Sequence, residues 1–252
     1  MRIKFLNTHL DNVTMDEAVQ EIDKLIRENE HSYVVTPNMD HIVQIEKDEL
    51  FKEIYDNADL ILTDGKPLIW IAKKQGIHIK EKVSGSDIFP CICNLAAKNG
   101  YRIFILGAAE GVADKAAKIL IQDYPGLQIA GTYSPPLGFE NDEEEVNRII
   151  MMINDNDTDI LAVALGSPKG EKTIYRIKSY INASISISIG ATIDFIAGNV
   201  KRAPKWMSNA GLEWLFRITQ DPVRMIKRYW NDAVSIVPIM KKYRKKSNGS
   251  MY

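Results

Sequence analysis

The feature that most narrows the fold is a rhythm. From Tyr33 onward short β-rich runs alternate with helical patterns, the candidate strands being Tyr33–Thr36, Asp59–Thr63, Tyr101–Leu106, Leu127–Ala130, Asp159–Leu165 and Ser184–Ile189. The segments between them are long enough for a helix to cross over, which predicts an α/β protein with a parallel sheet covered by helices. Helix starts are legible too. Thr14-Met-Asp-Glu17 is a capping box opening an amphipathic helix over Met15–Asn29, and Asn141-Asp-Glu-Glu-Glu puts acids in the first turn ahead of Val146, Ile149, Ile150 and Ile153. The first dozen residues are expected to add an edge strand. At 252 residues, 45% apolar and 26% charged, the chain is one large domain or one domain plus an appendage, and disordered or disulfide-stapled classes are excluded.

Chemistry is expected at the far ends of the strands. These lead into Thr36-Pro-Asn38, Thr63-Asp64-Gly65, Gly107-Ala-Ala-Glu-Gly111, Gly166-Ser-Pro-Lys169 and Gly190-Ala-Thr-Ile-Asp194. In open α/β sheets ligands sit outside the carboxyl ends of the strands, where glycines allow close backbone approach and helix N-termini offer free N–H groups to anions. A phosphate-bearing ligand fits such an edge, although βα turns use the same residues for conformational reasons alone. Asp64 is the best candidate general base, being a carboxylate held at the end of a buried strand; its competing use is as N-cap of a helix beginning near Pro67. Thr36 and Asn38 are placed to bond a sugar or phosphate, with helix capping as the alternative. Lys82, in Glu81-Lys-Val-Ser-Gly-Ser-Asp87, brings a positive charge suited to a departing diphosphate, or is a plain surface lysine.

Absent motifs discriminate further. No G-x-x-x-x-G-K-[ST] occurs, and no full G-x-G-x-x-G follows a strand with a suitably placed acid, so P-loop chemistry and NAD-dependent hydride transfer lose support. Asp155-Asn-Asp157-Thr-Asp159 looks like a metal-holding D-x-D, but it precedes its strand and so belongs to the opposite edge, as a solvated turn. Cys91 and Cys93 form no ligand spacing with His9, His31, His41 or His78, and reduced thiols with no metal site are expected. The sequence has no run of 18 apolar residues, and its start turns polar too early for a signal peptide, which predicts a cytoplasmic protein.

The net charge of −1 hides a partition. Residues 201–252 hold twelve Lys/Arg, ending in the run Lys241–Lys246, against Glu213, Asp221 and Asp232, a net +9 that leaves −10 for the first 200 residues. A basic end on an acidic body points to an anionic partner, and the acidic body argues against nucleic acid. Trp206, Ala210, Trp214 and Ile218 recur at helical spacing, and Asp221-Pro222 then caps a helix carrying Arg224, Lys227 and Arg228 beside Ile226 and Trp230. Aromatics mixed with arginines suit an anionic membrane surface, the alternative being packing on the sheet or on another subunit. A homo-oligomer is an open expectation, with Met39–Ile45 as an exposed apolar helix able to make the contact.

Taken in order, these blocks have a family likeness. Gly198-x-x-x-Arg202-Ala-Pro-x-Trp206-Met, Gly211-Leu-Glu-Trp214-Leu-x-Arg217 and Pro222-x-Arg224 with Arg228-Tyr229 resemble the C-terminal signature of the WecG/TagA/CpsF glycosyltransferase family. Thr36-Pro-Asn38, Thr63-Asp64-Gly65, Val83-Ser-Gly-Ser-Asp87, Phe104-x-Leu106-Gly107 and Gly166-Ser-Pro-Lys169-x-Glu171 match its other blocks, covering roughly residues 5–230. The resemblance implies a Rossmann-like domain, 1–195, followed by a C-terminal appendage, 196–252, working on the cytoplasmic membrane face without a metal or other cofactor. It is similar to the members that serve wall teichoic acid synthesis. These imply transfer of N-acetylmannosamine from UDP-N-acetylmannosamine to the 4-hydroxyl of undecaprenyl-diphosphate-linked N-acetylglucosamine, inverting to a β linkage.

On that footing Asp64 is expected to deprotonate the acceptor, with Thr36 and Asn38 orienting a substrate. Gly107, Gly166, Ser167, Pro168, Lys169, Glu171, Gly190 and Asp194 should line the nucleotide, and Lys82, Arg202, Arg217, Arg224 and Arg228 should supply cations. Two positions depart from the family pattern: Lys82 stands where relatives commonly show Arg, losing the bidentate fork, and Gly170 where many show Gln. Removing residues after about 195 is expected to leave a folded but nearly inactive protein. Rival readings are another UDP-sugar donor, such as a uronic acid form or glucose, and a non-catalytic nucleotide- or lipid-binding adaptor.

Overall fold

In the computed structural model the described residues are 1–248, without the side chains of Lys205, Asn209 and residues 244–248; the end of the expected appendage and the charges of Arg244, Lys245 and Lys246 lie outside the described residues. The chain opens with an antiparallel hairpin, β1 (Arg2–Phe5) on β2 (Thr8–Asp11), and then α1 (Met15–Glu28). The expected capping box is present: Glu17 N–H donates to Thr14 Oγ1 at 3.2 Å and Thr14 N–H to Glu17 Oε2 at 2.8 Å. There follow β3 (Ser32–Val35), α2 (Met39–Ile45), α3 (Glu49–Asp56), β4 (Leu60–Ile61), α4 (Lys66–Lys74), α5 (Gly85–Asn99), β5 (Arg102–Gly107), α6 (Val112–Asp123), β6 (Gln128–Tyr133), α7 (Glu143–Asp155), β7 (Ile160–Ala164), α8 (Lys169–Ile177), β8 (Ile185–Ser188) and α9 (Thr192–Ile196). Three more helices close the described chain: α10 (Lys205–Asn209), α11 (Glu213–Gln220) and α12 (Pro222–Asn248).

The six strands after the hairpin form one parallel sheet in the order β4-β3-β8-β7-β5-β6. Alternation along each strand feeds two cores. Ile103 and Ile105 pack with α1, α5, α6 and α9, while Phe104 and Leu106 pack with α2, α3, α7 and α8. The expected sheet with helices on both faces is therefore observed, and every strand points its carboxyl end at one edge.

Several expectations are corrected. The first dozen residues do not extend the sheet; they form their own ribbon, whose Asp11 carboxylate accepts the Ile61 N–H of edge strand β4 at 2.9 Å while Arg2 donates to Asp59 O at 2.7 Å. β6 runs on past Ala130 to Tyr133, with Gly131 lying under the Phe104 ring, where a Cβ would meet Cε2 at 2.7 Å. The helical spacing from Trp206 to Ile218 is broken at Gly211, which takes φ +75° and separates α10 from α11. Met39–Ile45 is not an exposed apolar helix: α12 packs across it and supplies Ile236 and Ile239 to the same core. Cutting after residue 195 would thus uncover α2.

Candidate active site

Backbone hydrogen bonds stitch the strand ends together. Asp64 N–H donates to Pro37 O, joining the turns after β4 and β3, and Val83 N–H donates to Thr63 O, each at 2.9 Å. Asp64 is not a helix cap. Gly65, at φ +99°, takes the N-cap position of α4 with no side-chain bond, and no hydrogen bond engages the Asp64 carboxylate among the described residues. This carboxylate keeps a partly accessible surface at the strand-end edge yet is ringed by protein, and burial, reinforced by the charge of Glu213, raises its pKa to about 6 against the opposing pull of Lys82, Arg217 and His41. A carboxyl tuned this way is still mostly ionised at neutral pH and more basic than a solvated one, which suits a general base.

The neighbouring candidates divide. Thr36 is buried at the end of β3. Asn38 caps α2: its Oδ1 accepts Asp40 N–H at 3.0 Å, and its own N–H donates to His41 Nδ1 at 3.2 Å. That leaves His41 Nε2 to carry the ring hydrogen toward Glu171 Oε1, 3.4 Å away; the same oxygen accepts Ser188 Oγ–H at 3.0 Å, so buried Glu171 is tied beneath the strand ends. Lys82 reaches Asp87 Oδ2 at 2.6 Å and lies 3.5 Å from Ser208 Oγ on α10. Burial pushes the Asp87 carboxyl up, but bonds from Lys82 and Ser84 outweigh it and hold it below the usual range; Arg202 pairs with its other oxygen.

The turn after β5 needs its glycine, since a Cβ on Gly107 at φ +110° would stand 2.6 Å from Ala164 O. After β7, Gly166 takes φ +71°, the Ser167–Pro168 peptide is cis, and Ser167 Oγ is buried with no hydrogen-bond partner among the described residues. Lys169 is held by Glu140 at 2.8 Å and lies over the Phe139 ring. At Gly170 a Cβ would meet Ser188 Oγ at 3.2 Å, so a larger residue there would press on the partner of Glu171. After β8, Gly190 takes φ +53°, and burial pushes the Asp194 carboxyl up.

The C-terminal helices bring some cations to this edge and not others. Arg217 pairs with Glu213 at 2.9 Å and stacks over Phe195, with its guanidinium 5.5 Å from the ring centre. Arg228 bonds Asp40 on α2 at 3.0 Å. Arg224 pairs with Asp221 at 2.7 Å and is 75% exposed, on the outer surface. Gly211 seats this segment against α4, where a Cβ would stand 2.7 Å from the Trp70 ring. Along α12, Val223, Ile226, Trp230, Val234 and Val237 form an exposed apolar stripe at helical spacing. No described helix is long and apolar enough to cross a membrane. The D-x-D run sits at the opposite edge, its Asp159 accepting Arg102 N–H at 2.7 Å.

Sequence reasoning missed Asp87, Glu213, His41 and the buried Asp40–Asp232 contact between α2 and α12. The one-turn spacing of Glu213 and Arg217 was a visible signal, as were Lys82 with Asp87 and Asn38 with His41, whereas Asp40–Asp232, His41–Glu171 and Asp87–Arg202 pair across long stretches of chain and left none.

Comparison with known proteins adds a sequence relationship to this geometry. The model of the glycosyl transferase WecG/TagA/CpsF family matches residues 3–249. Three similar proteins share the name N-acetylglucosaminyldiphosphoundecaprenol N-acetyl-beta-D-mannosaminyltransferase. That of Bacillus subtilis strain 168 is 32% identical over 75% of this chain and 70% of its own length. That of Bacillus spizizenii W23 is 29% identical over 91% and 80%, and that of Staphylococcus aureus MW2 is 24% identical over 87% and 85%.

Proposed function

This chain belongs to the WecG/TagA/CpsF family and is a glycosyltransferase, and from that premise we propose that it transfers N-acetylmannosamine from UDP-N-acetylmannosamine to undecaprenyl-diphosphate-linked N-acetylglucosamine, building the linkage unit of wall teichoic acid. The observation that carries the mechanism is the Asp64 carboxylate, partly accessible, without a hydrogen-bond partner among the described residues and with its pKa raised to about 6, on the sheet edge that also carries the turns after β3, β8, β7 and β5.

The proposed reaction is a single displacement. Asp64 takes the proton of the acceptor hydroxyl as that oxygen attacks the anomeric carbon; the bond to UDP breaks on the opposite face, and a β linkage forms. Lys82 and Arg217, both coupled to Asp64, supply positive charge for the leaving diphosphate, so the reaction is expected to run without a metal and to persist in a chelator. Gly107, Gly166 and Gly190 let the nucleotide approach backbone N–H groups, with Asp194 beside it. The stripe on α12, with Lys227 and Lys241 on the same exposed side of the helix, would lie on the anionic inner face of the cell membrane and bring the site to its lipid-linked acceptor.

The test incubates purified protein with a short-chain lipid-diphosphate-N-acetylglucosamine and a panel of UDP-sugars: the N-acetylmannosamine, N-acetylglucosamine, glucose and uronic acid forms. One new product, heavier by an N-acetylhexosamine and formed from the mannosamine donor, is expected. Turnover of a different donor would move the chain to another specificity within the family, and no turnover of any would favour a binding role.

A further inference from the structure

We propose that Glu213 is a positioning residue for this transfer: its carboxylate holds Arg217 at the cleft and faces Asp64 with a second negative charge. The inference rests on Asp64 being the base. Glu213 opens α11, where an acid is ordinarily explained by the helix dipole and by a pair with the residue one turn on. Here it does more. Its Oε1 accepts from Arg217 at both Nε, 3.3 Å, and Nη2, 2.9 Å, and its Oε2 accepts Ser208 Oγ–H at 3.4 Å. Ser208 Oγ is in turn 3.5 Å from Lys82 Nζ, which holds Asp87, which holds Arg202. Charges of alternating sign therefore run from Arg202 through Asp87, Lys82 and Glu213 to Arg217, tying the C-terminal helices to the turn before α5.

The charged and titratable groups facing Asp64 are Lys82 from that turn, Glu213 and Arg217 from α11, His41 from α2, and the buried Tyr55 phenol from α3. Three of these favour the ionised carboxylate, and Glu213 opposes it. Without Glu213 the two cations would leave Asp64 a weaker base. With it, Asp64 stays basic while Arg217 remains fixed for the diphosphate. Burial lowers the Arg217 pKa, but the charge of Glu213 and its hydrogen bond, with smaller help from Tyr229 and Asp64, more than offset it and keep that guanidinium charged.

The test is the pH profile of kcat for wild type, Glu213→Gln, Glu213→Asp and Asp64→Asn. Gln keeps an acceptor for Arg217 and removes the charge; Asp keeps the charge on a shorter arm. In Glu213→Gln the acid limb is expected to move to lower pH and the plateau to fall about 3–10-fold, as a weaker base gives, with KM for the UDP-sugar changed less than about 3-fold. Glu213→Asp is expected to keep the wild-type limb. If the limb stays in place in Glu213→Gln, or moves equally in both variants, Glu213 acts only through packing and the proposal is overturned. Failure of the underlying reading looks different: Asp64→Asn would retain turnover, or wild type would show no acid limb near pH 6.

Discussion

Asp232 lies on α12, 4% exposed, against Asp40 on α2, with Arg228, His41 and Tyr229 among the other charged or titratable groups facing it. Burial first, then the charge of Asp40 and a hydrogen bond to it, raise the Asp232 pKa from 3.8 to about 6, while Arg228 and His41 pull the other way. In the folded protein the carboxyl therefore stays neutral, donating to Asp40, in a pH range where the unfolded chain has already ionised. Stability from this source is whole below about pH 3.8 and is lost as pH rises to about 6. A shift of about two units corresponds to a ceiling of ~3 kcal/mol. Asp232→Asn keeps a donor toward Asp40 and cannot ionise, so it is expected to be up to ~3 kcal/mol more stable than wild type at pH 8, a Tm rise on the order of 6–12 °C for a chain this size. The gain should shrink toward zero near pH 4. Urea unfolding of both proteins from pH 4 to 8 reads this as a difference, in which other titrating groups cancel. A gain that did not vary with pH, or a less stable Asn variant at pH 8, would refute the reasoning.

Asp64→Asn is expected to lower turnover by about 10²–10⁴-fold while UDP still binds, measured by product formation and by calorimetry. Gly107→Ala should cost ~2 kcal/mol or more in chemical denaturation, because its Cβ would collide with Ala164 O at a φ that suits only glycine. Thr14→Ala removes the α1 cap and should cost ~1 kcal/mol by the same measurement. Trp230→Glu, on the exposed stripe, should weaken flotation with anionic vesicles without changing the thermal midpoint.

The parallel sheet was readable because its signals are local: apolar runs such as Ile103–Leu106 followed at once by glycine turns. Asp64 was readable for the same reason, as the acid in an Asp-Gly pair ending a buried run. What escaped depends on distance in the chain. Gly131 and Gly211 look like loop residues, and only the rings of Phe104 and Trp70 explain why one sits inside a strand and the other between helices. Met39–Ile45 looked uncovered because its cover, α12, arrives nearly 200 residues later. Arg224 and Arg217 are the same residue type in one basic segment, yet one pairs on the outer surface and the other over Phe195, a choice set by helix rotation that composition does not record.

The ribbon at the start of the chain bears on assembly. A terminal strand with free N–H and C=O groups invites another polypeptide to join it, and at β4 that invitation is withdrawn by side chains: Asp11 occupies the Ile61 donor and Arg2 the Asp59 acceptor. The β4 border is thereby blocked as a template on which a strand of a second copy could pair. A neutral Asn at position 11 would release the Arg2 clasp and make sticking between chains the first symptom.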